Sequence, residues 1–331
     1  MQNVNKWKWK ISYRLSNFIR KFGYFNRLSR IPFSMPRVQQ IEITNFCNLA
    51  CPMCPRHLME REVKYMEMGL FKKVVDEMKF TTPHVYLHHF GESLFHPKVY
   101  EMIKYVEKSG VAAMLSTNAT ILFEKQALAL LDAKPSYLIL SLDGATKETY
   151  EKMRKNAVFE TVVENIERFM KLRETKPQYK DICVDLQIIQ SVETANETEA
   201  FRKRWEHYDF HSIKVKKFEL WGGQVEDIKS LAFDFQTRRP VVTKRHPCYD
   251  LWDSIVVLVD GRVVPCCRDY DGKAIVGDLN TMTIKEVWNS DNMISLRKTH
   301  LSEKFDNPLC QSCTDWTGYE ANHLYPLNRQ A

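Results

Sequence analysis

The sequence predicts an α/β protein built on a parallel sheet, followed by a smaller cysteine-bearing unit. Between residues 39 and about 222 strand-like and helix-like runs alternate, which implies parallel strands joined by right-handed crossovers. From residue 246 onward the alternation gives way to cysteines at 248, 266, 267, 310 and 313 around an Asp-Gly hairpin signal. A chain of 331 residues has room for one large domain and a smaller unit. With 44% hydrophobic and 27% charged residues it falls in the range of globular proteins rather than disordered chains. No stretch approaches the ~20 apolar residues that cross a bilayer.

Taken in order, residues 1–38 form a basic, aromatic-rich extension. The first forty residues hold nine Lys or Arg and no acid, leaving 39 basic against 41 acidic side chains elsewhere. The net charge of +7 is therefore a local property, pointing to an anionic surface at this end and not to nucleic acid wrapped by the whole protein. Apolar residues at 11, 15, 18, 19 and 22 fit one face of a helix, which can lie on an anionic membrane surface or pack on the protein itself. Strand candidates follow at 40–45, 84–89, 111–117, 137–142, 182–190 and 213–220, with helical runs near 70–79, 97–109, 124–132, 158–173 and 194–207. The barrel segment is read as 39–224 and a bridge as 225–245, broken at Arg238-Arg239-Pro240. The cysteine unit spans 246–316, with a hairpin over 254–265 and helices at Ile284–Trp288 and 293–299; a tail covers 317–331.

The chemistry concentrates in Cys47-Asn48-Leu49-Ala50-Cys51-Pro52-Met53-Cys54. Thiols at this spacing can wrap one corner of an iron-sulfur cube. A four-iron cluster takes four thiolates, so three leave either a distant fourth ligand or an iron open to a chelating small molecule. On ligand type alone a structural zinc knot is the alternative. The loop follows the first strand, at the end where α/β enzymes keep their sites. Three more strand ends carry polar groups: Phe90-Gly91-Glu92, Ser116-Thr117-Asn118, and Ser141-Leu142-Asp143-Gly144 with Arg154 beyond it. Gly91 lets a ligand approach the backbone, and Glu92 can accept hydrogen bonds from an ammonium group. Each motif alone is common turn chemistry; their succession along the strands is the specific signal. His88 and His89 flank the same region, and the residues leave packing and catalysis both open.

This set resembles the radical S-adenosylmethionine (SAM) superfamily, whose signature is Cys-x3-Cys-x-hydrophobic-Cys, with Met53 in the hydrophobic slot. The resemblance covers roughly residues 40–316 and implies an open (β/α)6 partial TIM-like barrel. It implies a [4Fe-4S] cluster on Cys47, Cys51 and Cys54, chelated by SAM at the open iron. Gly91 and Glu92 would meet the SAM amine, Thr117 or Asn118 the ribose, and Ser141 and Arg154 the carboxylate. Ala119 stands where the family usually has glycine. The C-terminal cysteines are similar to the SPASM auxiliary-cluster domain in its shortened form, called twitch. That implies a second [4Fe-4S] cluster on Cys248, Cys266, Cys310 and Cys313, although four thiolates would equally suit zinc by count. Cys266 is selected over Cys267 because it ends the hairpin strand.

As the resemblance implies, reductive cleavage of SAM gives a 5′-deoxyadenosyl radical that removes hydrogen from an unactivated C–H bond. The auxiliary cluster can accept a second electron. The leading reading is oxidation or epimerisation of a small polyol, sugar or nucleotide-sugar, with dehydrogenation favoured. The alternatives are a peptide maturase and, from another class, a non-catalytic iron-sulfur or zinc protein. Cys183, on the fifth strand, is either a small core residue or a hydrogen-atom donor. The implied partners are a small-molecule substrate and an electron donor such as flavodoxin or ferredoxin. Nine cysteines in a chain of this size, without the apolar run of a signal peptide, suit a reducing cytoplasmic setting, at the inner membrane face if the extension binds there.

Overall fold

The computed structural model describes residues 35–233, 245, 247–311 and 313. The sequence alternation becomes six parallel strands: β1 (Arg37–Ile41), β2 (His84–Tyr86), β3 (Ala112–Thr117), β4 (Tyr137–Ser141), β5 (Cys183–Gln190) and β6 (Ser212–Lys217). Between them run α1 (Met68–Met78), α2 (Val99–Lys108), α3 (Glu124–Ala133), α4 (Lys147–Met153), α5 (Phe159–Glu174) and α6 (Thr198–Trp205). The amphipathic helix read in the extension and the Arg238-Arg239-Pro240 break lie outside the described residues.

The two faces of the sheet follow from period-2 alternation. One face carries Val85, Leu115, Leu138, Leu140, Leu186 and Ile188, all fully buried, under helices whose apolar residues recur at i, i+3, i+4 and i+7. In α2 these are Val99, Met102, Ile103 and Val106, and burial of each such side chain contributes ~1.5–3 kcal/mol. The other face mixes polar residues with a few apolar ones such as Ile139 and Ile189. Register pairs Ser141 with Gln187 and Gln187 with Lys214, and near the base Asp185 takes an ion pair from Lys214 and a hydrogen bond from Tyr137 Oη.

Two features depart from the sequence reading. β1 begins at Arg37, inside the stretch assigned to the extension, because Arg37 N–H donates to Asp253 O (3.0 Å) and its guanidinium pairs with the Asp253 carboxylate. The α4 helix was not expected, since in seven residues it buries only Tyr150 and Met153, too few to show a period.

The C-terminal part contributes β7 (Ser254–Val257), β8 (Arg262–Val264) and β9 (Gly277–Asp278), then α7 (Ile284–Trp288), α8 (Asp291–Leu301) and α9 (Pro308–Gln311). The hairpin and the first two of these helices fall where the pattern placed them. β7 pairs parallel with β1, so one nine-stranded sheet runs β6-β5-β4-β3-β2-β1-β7-β8-β9. β6 and β9 are its edges, and the sheet does not close. β6 carries Lys214, Lys216 and Lys217, exposed charges of the kind that guard an open edge. No helix among the described residues is long and apolar enough to cross a membrane.

Candidate active site

The cysteine loop is held by a buried carboxylate just beyond β1. Glu42 is fully buried and accepts hydrogen bonds from Arg61 Nη1 (2.7 Å) and Nη2 (2.8 Å), Val259 N–H (3.1 Å) and Phe90 N–H (3.4 Å). Burial alone would raise its pKa; His89 and Arg61 overcome this and hold it at about 2. Glu42 thereby ties β1, the Phe90-Gly91 loop and the C-terminal hairpin to one point. Asn45 fastens the far side, accepting from Lys64 N–H (2.7 Å) and donating to Glu62 O (2.9 Å).

Within the loop, Cys54 N–H bonds Cys51 O (3.0 Å), Ala50 N–H bonds Lys155 O (3.1 Å), and Arg56 Nη2 donates to Cys47 O (2.6 Å). All three thiols line one cavity. Burial pushes the Cys47 thiol up and the Cys54 thiol to about 12. Two donors face the sulfurs: Asn118 Nδ2 lies 3.8 Å from Cys47 Sγ, and Arg154 Nη1 3.8 Å from Cys51 Sγ. Such donors suit metal-bound thiolates, whose negative sulfur is stabilised by outer hydrogen bonds. The loop fits a cluster.

The other motif residues meet this loop. Gly91 passes so close to the segment after β1 that a Cβ would stand 2.2 Å from Thr44 O, which no side chain allows. Glu92, buried behind it, accepts from Asn118 N–H (2.7 Å) and Leu94 N–H (3.2 Å); burial raises its pKa against these bonds. Ser141 Oγ lies 3.1 Å from Ser116 Oγ. Gly144 admits α4, for a Cβ there would stand 2.5 Å from Tyr150 N. Thr146 caps that helix by accepting from Thr149 N–H (3.3 Å), and the helix delivers Arg154 at its end. Arg154 is bound by Asp143 through Nε (2.7 Å) and Nη2 (2.6 Å). Burial opposes its charge, yet Asp143 and the Cys51 sulfur hold its pKa above the ordinary value. Ala119 takes φ +56°, a left-handed conformation in which glycine is at ease.

The cavity, ≈ 370 Å³, brings together Cys47, Cys51, Met53, Cys54, Gly91, Glu92, Thr117, Asn118, Ser141 and Arg154. Cys183 is apart: it pairs with Tyr137 at the start of β5, whereas Ser141 pairs with Gln187. Four residues of strand put it roughly 13 Å below the cavity floor.

Of the remaining cysteines, Cys248, Cys310 and Cys313 lie near enough to repel one another's charge. Burial raises Cys248 well above the ordinary value, with further repulsion from Cys313 and Cys310; Cys310 rises to about 12. Cys266 Sγ lies 3.9 Å from Asp250 Oδ2, two residues past Cys248. Its neighbour Cys267 instead lines the main cavity beside Arg268, whose Nη1 is 3.7 Å from its sulfur. A hydrogen bond to Cys266 holds the Cys267 thiol down at about 7.

Sequence reading missed the loop after β6. Trp221 Nε1 donates to Met53 O (2.9 Å), and a Cβ on Gly222 would touch Cys313 Sγ at 3.6 Å, so this turn stands between the two cysteine groups. Trp221, Gly222 and Gly223 all have positive φ (51°, 70° and 79°). The Gly-Gly pair was the available signal. Gln40, Gln187, Lys216 and Arg268 also line the cavity and carry no local motif.

Comparison with known proteins agrees with this geometry. A profile of the radical SAM superfamily matches residues 41–203, and one of an iron-sulfur cluster-binding domain, SPASM, matches 248–314. A tungsten-containing aldehyde ferredoxin oxidoreductase cofactor-modifying protein from Pyrococcus furiosus is 30% identical over 312 residues, 83% of this chain and 86% of that protein. Among solved structures, BtrN in complex with AdoMet and 2-DOIA has a TM-score of 0.58 at 16% identity, over 85% of this chain and 94% of that one. Streptococcus suis SuiB bound to precursor peptide SuiA has a TM-score of 0.60 at 13% identity, over 85% and 70%. With its cysteine loop, its open parallel sheet and its C-terminal cysteines all accounted for, the chain belongs to the radical SAM superfamily and carries a C-terminal SPASM iron-sulfur domain.

Proposed function

We propose that this enzyme oxidises a small polyol, sugar or nucleotide-sugar by hydrogen abstraction in the cavity between the cysteine loop and the ends of β2 to β6. The observation that carries the reading is that Cys267 and Arg268, next to Cys266, which we assign to the auxiliary cluster, form part of the wall of the cavity that holds the three loop thiols. An electron acceptor beside the substrate suits a two-electron oxidation. A volume of ≈ 370 Å³ lies within the ~300–1,000 Å³ of small-molecule sites.

Bound cluster and SAM supply the hydrogen-abstracting power; the protein supplies placement and exclusion of water. Cys47, Cys51 and Cys54 hold the first cluster, and Cys248, Cys266, Cys310 and Cys313 the second. Glu92 accepts from the SAM amine, and Thr117 and Asn118 face its ribose. Ser141 and Nη1 of Arg154, the guanidinium nitrogen not bonded to Asp143, face its carboxylate. An external one-electron donor such as flavodoxin or ferredoxin would supply the electron that this chemistry needs.

The test is anaerobic release of 5′-deoxyadenosine from SAM and a strong reductant without substrate. Wild type should release it slowly. Glu92→Ala should lower the rate about 10- to 150-fold, because a hydrogen bond to a charged group is worth ~1.5–3 kcal/mol. An unchanged rate in that variant would misplace the SAM site. A second reading, modification of a cofactor, is favoured by the name and 86% coverage of the Pyrococcus furiosus relative; loss of two hydrogens from a sugar or polyol, and not from a larger cofactor or peptide, decides for the first.

A further inference from the structure

The inner face of the sheet ends in groups that the SAM contacts leave unused. Lys216 pairs in register with Ile189 and lines the cavity beside Lys217. Among the described residues neither ammonium has a carboxylate at ion-pair distance, whereas Lys214 lower on the strand is committed to Asp185. The other wall cations are occupied: Arg268 by Glu219 (3.7 Å) and Asp250 (3.8 Å), Arg154 by Asp143, and Arg56 by Cys47 O.

Across the mouth, on β2's extension, His88 Nδ1 accepts from Ser116 N–H (3.0 Å). The neutral ring therefore carries its proton on Nε2 and offers a donor to the cavity it lines. Burial and the Lys216 charge keep it neutral. That Lys216 bears on a residue four strands away in the sheet reflects the curl of the sheet. Gln40, also in the cavity wall, has a buried Oε1 without a hydrogen-bond partner. A buried amide oxygen left unpaired costs free energy and calls for a donor.

We propose that this β6 side of the cavity binds a phosphoryl group of the substrate, with Lys216 and Lys217 carrying its charge and His88 and Gln40 meeting the hydroxyls next to it. The substrate class is thereby narrowed from free polyols to phosphorylated or nucleotide-linked sugars. The proposal rests on the reading that substrate meets SAM in this cavity. Two point charges on flexible stems suit a phosphoryl dianion or diphosphate better than the planar fork of a carboxylate, which arginine matches.

The test is calorimetric titration of inorganic pyrophosphate into the SAM-loaded, cluster-reconstituted protein under anaerobic conditions, with malonate as the carboxylate probe. Wild type should bind pyrophosphate at least tenfold more tightly than malonate, and raised salt should weaken it. Lys216→Gln should weaken pyrophosphate tenfold or more, Lys216→Arg less than threefold, and Lys229→Gln, outside the cavity, not at all. Equal affinity in wild type and Lys216→Gln, or tighter binding of malonate, would overturn the proposal. Because heat of binding is independent of turnover, this result can fail while 5′-deoxyadenosine release succeeds, and the reverse, so the two readings are separable.

Discussion

Removing the charge of Glu42 tests how the site is held. Glu42→Gln keeps the shape and one acceptor oxygen but strands the Arg61 guanidinium, whose side chain is 4% exposed. Breaking a buried ion pair from one side costs about 3–5 kcal/mol. The depressed pKa gives a second figure. A carboxylate held at about 2 instead of 4.5 contributes about 3 kcal/mol of stability, at 1.36 kcal/mol per pKa unit. The folded pKa is depressed, so the contribution is fully present above pH 4.5 and is lost as pH falls from there through about 2. The two figures agree, and they are a large share of a typical stability of ~5–15 kcal/mol. The assay is guanidinium unfolding of wild type and Glu42→Gln from pH 5 to 8. The expected difference is about 3–4 kcal/mol, constant across that range, and Glu42→Gln combined with Arg61→Met should recover part of it. A difference below about 1 kcal/mol, or one that shrinks steadily from pH 8 to 5, would refute the reasoning, since pairs worth so little are those exposed to solvent.

Replacing Cys47, Cys51 and Cys54 together with alanine should lower iron and sulfide from about eight to about four per chain by colorimetric assay; zinc at the C-terminal cysteines would contradict this. Gly91→Ala drives a methyl into Thr44 O at 2.2 Å, so it should displace the Glu92 loop and abolish 5′-deoxyadenosine release while the far-UV dichroism stays native. Cys183→Ala, with its sulfur near the opposite end of β5, should leave substrate turnover within twofold and the product two hydrogens lighter than substrate; an isomeric product lost in this variant would point to epimerisation.

The strand-helix alternation was legible because the outer faces of β3, β4 and β5 are continuously apolar and each long helix repeats that signal at 3.6 residues. α4 was hidden by its seven residues, yet it sets Arg154. The cysteine loop and the strand-end motifs were legible as local spacing, and the structure gathers them. What stayed hidden is long-range: Glu42 finds Arg61 and, 217 residues on, Val259, and no local pattern announces such a partner. The Cys266-Cys267 pair could not be divided by sequence, because adjacent residues share every spacing; their side chains part only when the hairpin end is set between Asp250 and the cavity. The left-handed conformation that Ala119 adopts is likewise a matter of φ, visible only in the folded backbone.

The parallel pairing of β1 with β7 also governs how the protein is made. Arg37 and Asp253, which clamp the two strands, are 216 residues apart, and closing a loop of that length costs about 5 kcal/mol of chain entropy by the logarithmic rule. During synthesis β1 can dock on β2 early, but its other edge stays open until residues 254–257 have emerged, an unpaired edge of the kind that invites wrong pairing. Glu42 and its ion pair await the same event for the Val259 bond. The cysteine loop thus follows directly on a strand that is among the first parts of the sheet to be synthesised and among the last to be paired on both edges.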